Sequence, residues 1–145
     1  MEIYTIGFTK KSAEEFFGLL RGAGIRQLID VRLNNVSQLA AFAKRDDLRF
    51  FLRELCDADY LHEPRLAPTE DILKAYQRKE LSWADYERAF RTLLEERQAE
   101  TLVSQASFAV PTTLLCSEPT AEKCHRRLVA EYLAAAWDDT VVVHL

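Results

Sequence analysis

Residues 2–32, "EIYTIGFTKKSAEEFFGLLRGAGIRQLIDVR", decide the fold class. The first six, "EIYTIG", are β-branched and aromatic and are closed by Gly7, which reads as a strand. Ser12 and Glu15 then stand at capping-box spacing, hydroxyl to carboxylate three residues on. Phe16, Phe17, Leu19, Leu20 and Ala23 follow at helical spacing, and Gly22 and Gly24 supply the stop. "QLIDVR", ending at Arg32, is a second apolar run too short for a helix between such breakers. Strand, helix, strand predicts a right-handed parallel crossover.

The rest of the chain extends the alternation. Leu48, Phe51, Leu52, Leu55 and Cys56 fall on one face of a helix. "DYLHEP" reads as a short strand ended by Pro64, and Thr69 as the N-cap of a helix whose Glu70 and Asp71 favour the positive end of its dipole. Ser82 starts a longer helix carrying Trp83, Tyr86, Phe90, Leu93 and Leu94. "TTLLC", a helix from Thr120 to Ala136 and the strand "TVVVHL" complete the pattern. The reading is an α/β protein, a single domain over residues 1–145, with a mostly parallel sheet of four or five strands flanked by helices. Three consecutive helical patterns between residues 46 and 98 break the rhythm, so part of the middle is expected to be a helical insertion or cap.

Bulk properties narrow the function classes. The 145 residues are 48% hydrophobic and 29% charged, a globular balance. A formal charge of −4 disfavours nucleic acid as the partner, since that affinity comes mainly from basic surface. "FAKRDDLRFFLRE" does gather Lys44, Arg45, Arg49 and Arg53 around Phe50, as a single-strand groove would, but it reads better as a solvated helix face. "MEIYTIGFTKK" has no secretory h-region, and no apolar run nears the roughly 18 residues of a membrane span. With an odd count of three cysteines, the expected setting is a reducing cytoplasm with free thiols and no membrane. The sequon Asn35-Val36-Ser37 is therefore discarded.

In open parallel sheets, ligands bind beyond the carboxyl ends of the strands. That rule nominates Gly7, Phe8, Thr9 and Lys10 after the first strand, and Asp30, Val31, Arg32, Asn34 and Asn35 after the second. It also nominates His62 and Glu63 after the middle strand, and Cys116, Ser117 and Glu118 after "TTLLC". The first, second and fourth sets are expected to share a cleft. On the following helix, Leu128, Val129, Tyr132, Leu133 and Ala136 define an apolar face. His125 falls within that face, with Cys124 and Arg126 on its margins. A histidine so placed is either a buried structural group or a site residue aimed at Cys116.

Four chemistries fit "LLCSEPTAEKCHRRL". The first is a thiol nucleophile, Cys116 or Cys124, activated by His125, Arg126 and the helix N-terminus. A phosphatase loop is rejected, because the Cys116-to-Arg126 spacing is too long and Glu118 and Glu122 would repel phosphate. The second is a metal site, the weaker reading because Cys-x7-Cys-His lacks the tight Cys-x2-Cys pairing. The third is a reversible Cys116–Cys124 disulfide. In the fourth, Glu118 and His125 act as acid and base on a nucleotide or sugar, with Arg32 or Arg126 holding an anionic group. "GFTKKS" is not a nucleoside-triphosphate loop, and Asp30 with Arg32 reads equally as a strand-end site or an internal ion pair. Phe16, Phe17, Phe51, Phe90 and Trp83 read as core; Trp137 is a candidate interface anchor.

"IYTIGFTKKS", "LIDVR", "FAKRDDLRFFL", "YLHEPRLAPT" and above all "LLCSEPTAEKCHRRLVAEYL" resemble, in order and across nearly the whole chain, domain-of-unknown-function family 488. Many members carry His where this chain has Phe8, and Ser or Pro where Leu33-Asn34-Asn35 follow the Asp-Val-Arg. The resemblance implies an α/β domain with Gly7, Asp30, Arg32, Cys116, Glu118, Cys124, His125 and Arg126 as motif positions. It implies no activity. The functional expectation is an enzyme for a small nucleotide-like or other anionic ligand: Cys116, Glu118 and His125 catalytic, Gly7, Thr9, Asp30, Arg32, Cys124 and Arg126 substrate-binding, no metal ligand, and no cofactor or oligomeric state assigned. The alternatives are a non-catalytic nucleotide or nucleic-acid binding module and an interaction domain with a structural Cys-His-Arg cluster.

Overall fold

The computed structural model describes residues 1–36 and 40–145; Ser37, the last residue of the sequon, lies outside the described residues. Strands β1 (Glu2–Gly7), β2 (Gln27–Asp30), β3 (Asp59–His62), β4 (Thr112–Cys116) and β5 (Val141–His144) form one sheet in the order β3-β2-β4-β1-β5. Every pairing is parallel. Helix α1 (Ala13–Gly22) joins β1 to β2, but the two are not neighbours: β4 inserts between them. Ser12 caps α1 through the Glu15 N–H, as its spacing predicts.

Side-chain alternation along the strands assigns the two faces. Ile3, Ile29, Val31 and Leu114 pack with α4 (Trp83–Glu96) and α5 (His125–Ala136). Ile6, Leu28 and Leu115 pack with α1 and α2 (Arg45–Phe51) on the other face. Cys116 has the phase of Leu114, so the last residue of β4 faces α5 rather than α1. That alternation sets the position of the site.

Three expectations change. The helix assigned from Thr120 begins at His125, with Cys124 as its N-cap, because the preceding residues follow Pro119 into a chain of turns. Its buried side is Leu128, Val129, Ala130 and Leu133, whereas Ala136 is exposed. The helical insertion takes up part of the middle, as expected. Helix α2 is the crossover from β2 to β3, and only α3 (Glu70–Gln77) and α4 lie between β3 and β4. After Phe51, α2 widens into a π turn over Leu52–Cys56, closed by the left-handed Asp57. The wider turn shifts the helical phase, and Leu55, read as inward-facing, is exposed.

Trp137 packs edge-on against Phe108 with ring centroids 5.1 Å apart and is buried, so it is core rather than an interface anchor. Around Phe50 the basic stripe is locally matched: Arg45 pairs with Asp46, Arg53 with Glu54, and the Arg49 guanidinium lies over Tyr60. Among the described residues no helix is long and apolar enough to cross a membrane.

Candidate active site

Helices α1 and α2 leave β1 and β2 toward one face, while α5 leaves β4 toward the other, so a crevice opens where these strand ends meet. On the β1 side the crevice is filled by the chain itself. Thr9 N–H donates to the Ser117 carbonyl at 3.0 Å, Lys11 Nζ to the Pro119 carbonyl at 3.1 Å, and Arg126 Nη1 to the Glu118 carbonyl at 2.7 Å. Gly7 sits beneath this loop; any Cβ there would overlap the Glu118 carbonyl. Gly7 and Thr9 thus shape the 117–119 loop, and the first of the three nominated strand ends does not line the cavity.

The cavity opens instead on the β2–β4 side, with a volume of about 560 Å³. Its floor is Cys116, Cys124 and His125. Cys116 Sγ lies 3.4 Å from His125 Nδ1, and His125 Nε2 lies 2.7 Å from the Val31 carbonyl oxygen. A carbonyl only accepts, so Nε2 carries a proton and donates it to Val31. In the neutral ring Nδ1 is then a bare acceptor facing the thiol. Phe90 meets the imidazole edge-on at 5.8 Å and fixes its plane. A thiol, a base and a group that orients the base stand in line.

Burial alone would push the Cys116 thiol up. It is outweighed by a hydrogen bond from Cys124, the nearby Arg126 charge and the Ser117 and Glu118 backbone N–H groups, so Cys116 is held below its ordinary value. Cys124 moves the opposite way: burial and its bond to Cys116 hold its proton well beyond the usual thiol range. Arg126 is 1% exposed, and its Nε has no partner. Among the described residues no carboxylate pairs with it. Arg126 lies under the loop, and its buried charge favours the Cys116 thiolate.

Asp30 and Arg32 form the internal pair that sequence left open. Arg32 Nε and Nη2 reach the two Asp30 oxygens at 2.9 and 2.8 Å, and Nη2 also donates to the Ala43 carbonyl. Tyr60 donates to the same carboxylate, and Arg32 lies over the Phe8 ring at 5.1 Å. Burial alone would lower Arg32, but the Asp30 carboxylate raises it. Arg32 nonetheless lines the cavity, and its Nη1 donates to no side chain or carbonyl among the described residues. Glu118 is exposed at the cavity wall. His62 donates to the Arg32 carbonyl, and His144 is on β5 against Thr5, so neither joins the thiol cluster.

The opposite wall was missed in the sequence. Tyr76, Trp83 and Tyr86 form an aromatic cluster, with Trp83 and Tyr86 stacked at 5.2 Å and Tyr76 edge-on to Trp83, and Lys79 and Lys123 stand beside the opening. Trp83 shares a helical phase with Tyr86 and Phe90 and so reads as core, but in the first turn of α4 that face meets the cavity. An apolar residue that opens a helix beyond a sheet edge was the available signal.

The architecture is therefore a doubly wound α/β domain with a thiol–imidazole pair at its strand-end cavity. The chain belongs to the family described as domain of unknown function DUF488, whose model matches residues 12–133. No curated protein and no solved structure matches it.

Proposed function

We propose that the protein is an enzyme that binds a small nucleotide-like or other anionic molecule in this cavity and attacks it with the Cys116 thiolate. The observation that carries the reading is the Cys116–His125 contact at 3.4 Å, with the far ring nitrogen fixed on Val31. Nδ1 takes the thiol proton, and the thiolate forms a bond to an electrophilic centre of the substrate. The leaving group departs with its electron pair and receives the proton from Nδ1. Arg32 Nη1, Lys79 and Lys123 supply positive charge for the anion, the aromatic wall covers its planar part, and Glu118 serves the second proton transfer.

The test is carboxamidomethylation by iodoacetamide as a function of pH. Cys116 is expected to react faster than Cys56, with an inflection below the ordinary 9.0. Cys56 is half-buried and held above that value by burial. His125→Asn should slow Cys116 by about 100-fold, and adenosine monophosphate should protect it. A Cys116 no more reactive than Cys56 overturns the proposal.

A second reading has its own support. Ligand atoms of Cys116, Cys124 and His125 all lie within 4.8 Å of one another. Three N/S ligands beside an open cavity is also how catalytic zinc is held. Native mass spectrometry before and after chelation separates the two: a mass excess removed by chelator makes Cys116 a metal ligand rather than a nucleophile.

A further inference from the structure

Cys124 forms no bond to the substrate in the proposed reaction, yet it stands beside Cys116, and both thiols border the same cavity. Their sulfurs lie within 4.8 Å. Arg126 Nη1, whose charge also favours the Cys116 thiolate, lies 3.5 Å from the Cys124 sulfur. Cys56, at the end of the π turn, packs against the other face of the sheet.

We propose that Cys116 and Cys124 form a peroxide-oxidisable dithiol, in which Cys116 is the oxidised centre and Cys124 resolves it as an intramolecular disulfide. This rests on the reading of Cys116 as a thiolate. The substrate class is a hydroperoxide small enough to enter the cavity. The Cys116 sulfur attacks one peroxide oxygen; an S–O bond forms, the O–O bond breaks, and the departing oxygen takes a proton from His125 Nδ1. Cys116 becomes a sulfenic acid by losing two electrons, and the peroxide is reduced to water or an alcohol.

That step removes the thiolate that held the Cys124 proton. Arg126 Nη1 and His125 Nδ1, the latter emptied of its proton, now both favour the Cys124 thiolate. Its sulfur attacks Cys116, the S–S bond forms, the S–O bond breaks, and hydroxide leaves as water with the Cys124 proton relayed by His125. The sulfurs must close to about 2.05 Å. Carbonyls 117–119 are held by Thr9, Lys11 and Arg126, so the movement falls on residues 120–123, which are bends and turns rather than regular structure.

The experiment treats reduced, chelator-washed full-length protein with hydrogen peroxide and maps it by peptide mass spectrometry. The expected product is a monomer lacking the hydrogens of one disulfide, with 116 crosslinked to 124 and fully restored by dithiothreitol; Cys56→Ser should give the same crosslink. In Cys124→Ser, dimedone should trap sulfenic acid on Cys116 at about tenfold the wild-type level. A Cys116 that iodoacetamide labels but that yields no crosslink overturns this inference and leaves the proposed function standing. Sulfinic acid on wild-type Cys116, or first oxidation at Cys56, also overturns it. A Cys116 inert to both reagents overturns the two readings together.

Discussion

A Cβ built on Gly7 would overlap the Glu118 carbonyl oxygen and lie 2.7 Å from Arg126 Nη1. The first of these is backbone, which cannot rotate away, so Gly7→Ala has to displace the loop that carries the Ser117 and Glu118 N–H groups. We expect a loss of about 3 kcal/mol, combining overpacking with a weakened buried Arg126 hydrogen bond. The Cys116 inflection should move upward at the same time, as the N–H groups that favour its thiolate are pulled away. Gly18 is the control. It lies inside α1, where an added Cβ would meet nothing within 4 Å, so Gly18→Ala should gain about 0.5–1 kcal/mol in urea unfolding. A destabilisation at Gly7 no larger than a few tenths of a kcal/mol would mean that the loop is not pinned there. In sequence, Gly7 was legible as a strand end but not as a close approach, because the partner carbonyl lies more than a hundred residues away.

At the scale of elements, local signals were read well wherever the cause was local. Ser12, Thr69 and Ser82 each accept the N–H three residues on, as their spacing predicts. The failures came where a distant group decided. At the start of α5 Cys124 stands at the N-cap position without a side-chain cap bond, and the preceding loop is held by carbonyls engaged by Thr9, Lys11 and Arg126, none of which a helical period encodes. The π turn after α2 likewise rotates Leu55 outward without any break in the apolar spacing. Ser82 gives a test that bears on the cavity. Its hydroxyl caps α4 one residue before Trp83, and Ser82→Ala should cost about 1 kcal/mol. The loosening should show as faster hydrogen exchange in the first turn of α4, with Cys116 alkylation unchanged by the loss of the cap alone. A tenfold drop in that alkylation would place the aromatic wall in contact with the thiol chemistry.

At the scale of the molecule, the parallel α/β class followed from alternation, but strand order did not: nothing in the β1–α1–β2 unit announces that β4 will pair between its strands. That insertion is what brings Cys116 beside Val31 and His125, so the motif residues were legible and their geometry was not. It also buries two coupled thiols, and their titration gives a property of the whole fold. In the folded chain one proton of the Cys116–Cys124 pair leaves below 9.0 and the other is held well above it. In the unfolded chain both leave near 9.0. From the first folded pKa up to 9.0 the unfolded chain binds more protons, so stability rises with pH; above 9.0 the folded chain binds more, so stability falls. Tyr60 and Tyr86 add to the fall above their ordinary 10.0, held protonated first by burial, then by Asp30 beside Tyr60 and the thiols beside Tyr86. Urea midpoints of the reduced protein should therefore peak near about pH 9 and decline beyond it. Cys124→Ser, which leaves Cys116 as the one thiol of the pair, should lose the Cys124 share of the decline between about pH 9 and 10 and keep the smaller share from Cys56, which burial also raises, and the tyrosine limb. A variant whose midpoint falls from about pH 9 as steeply as wild type would show that the alkaline limb belongs to other groups, and that the two thiols do not share a proton.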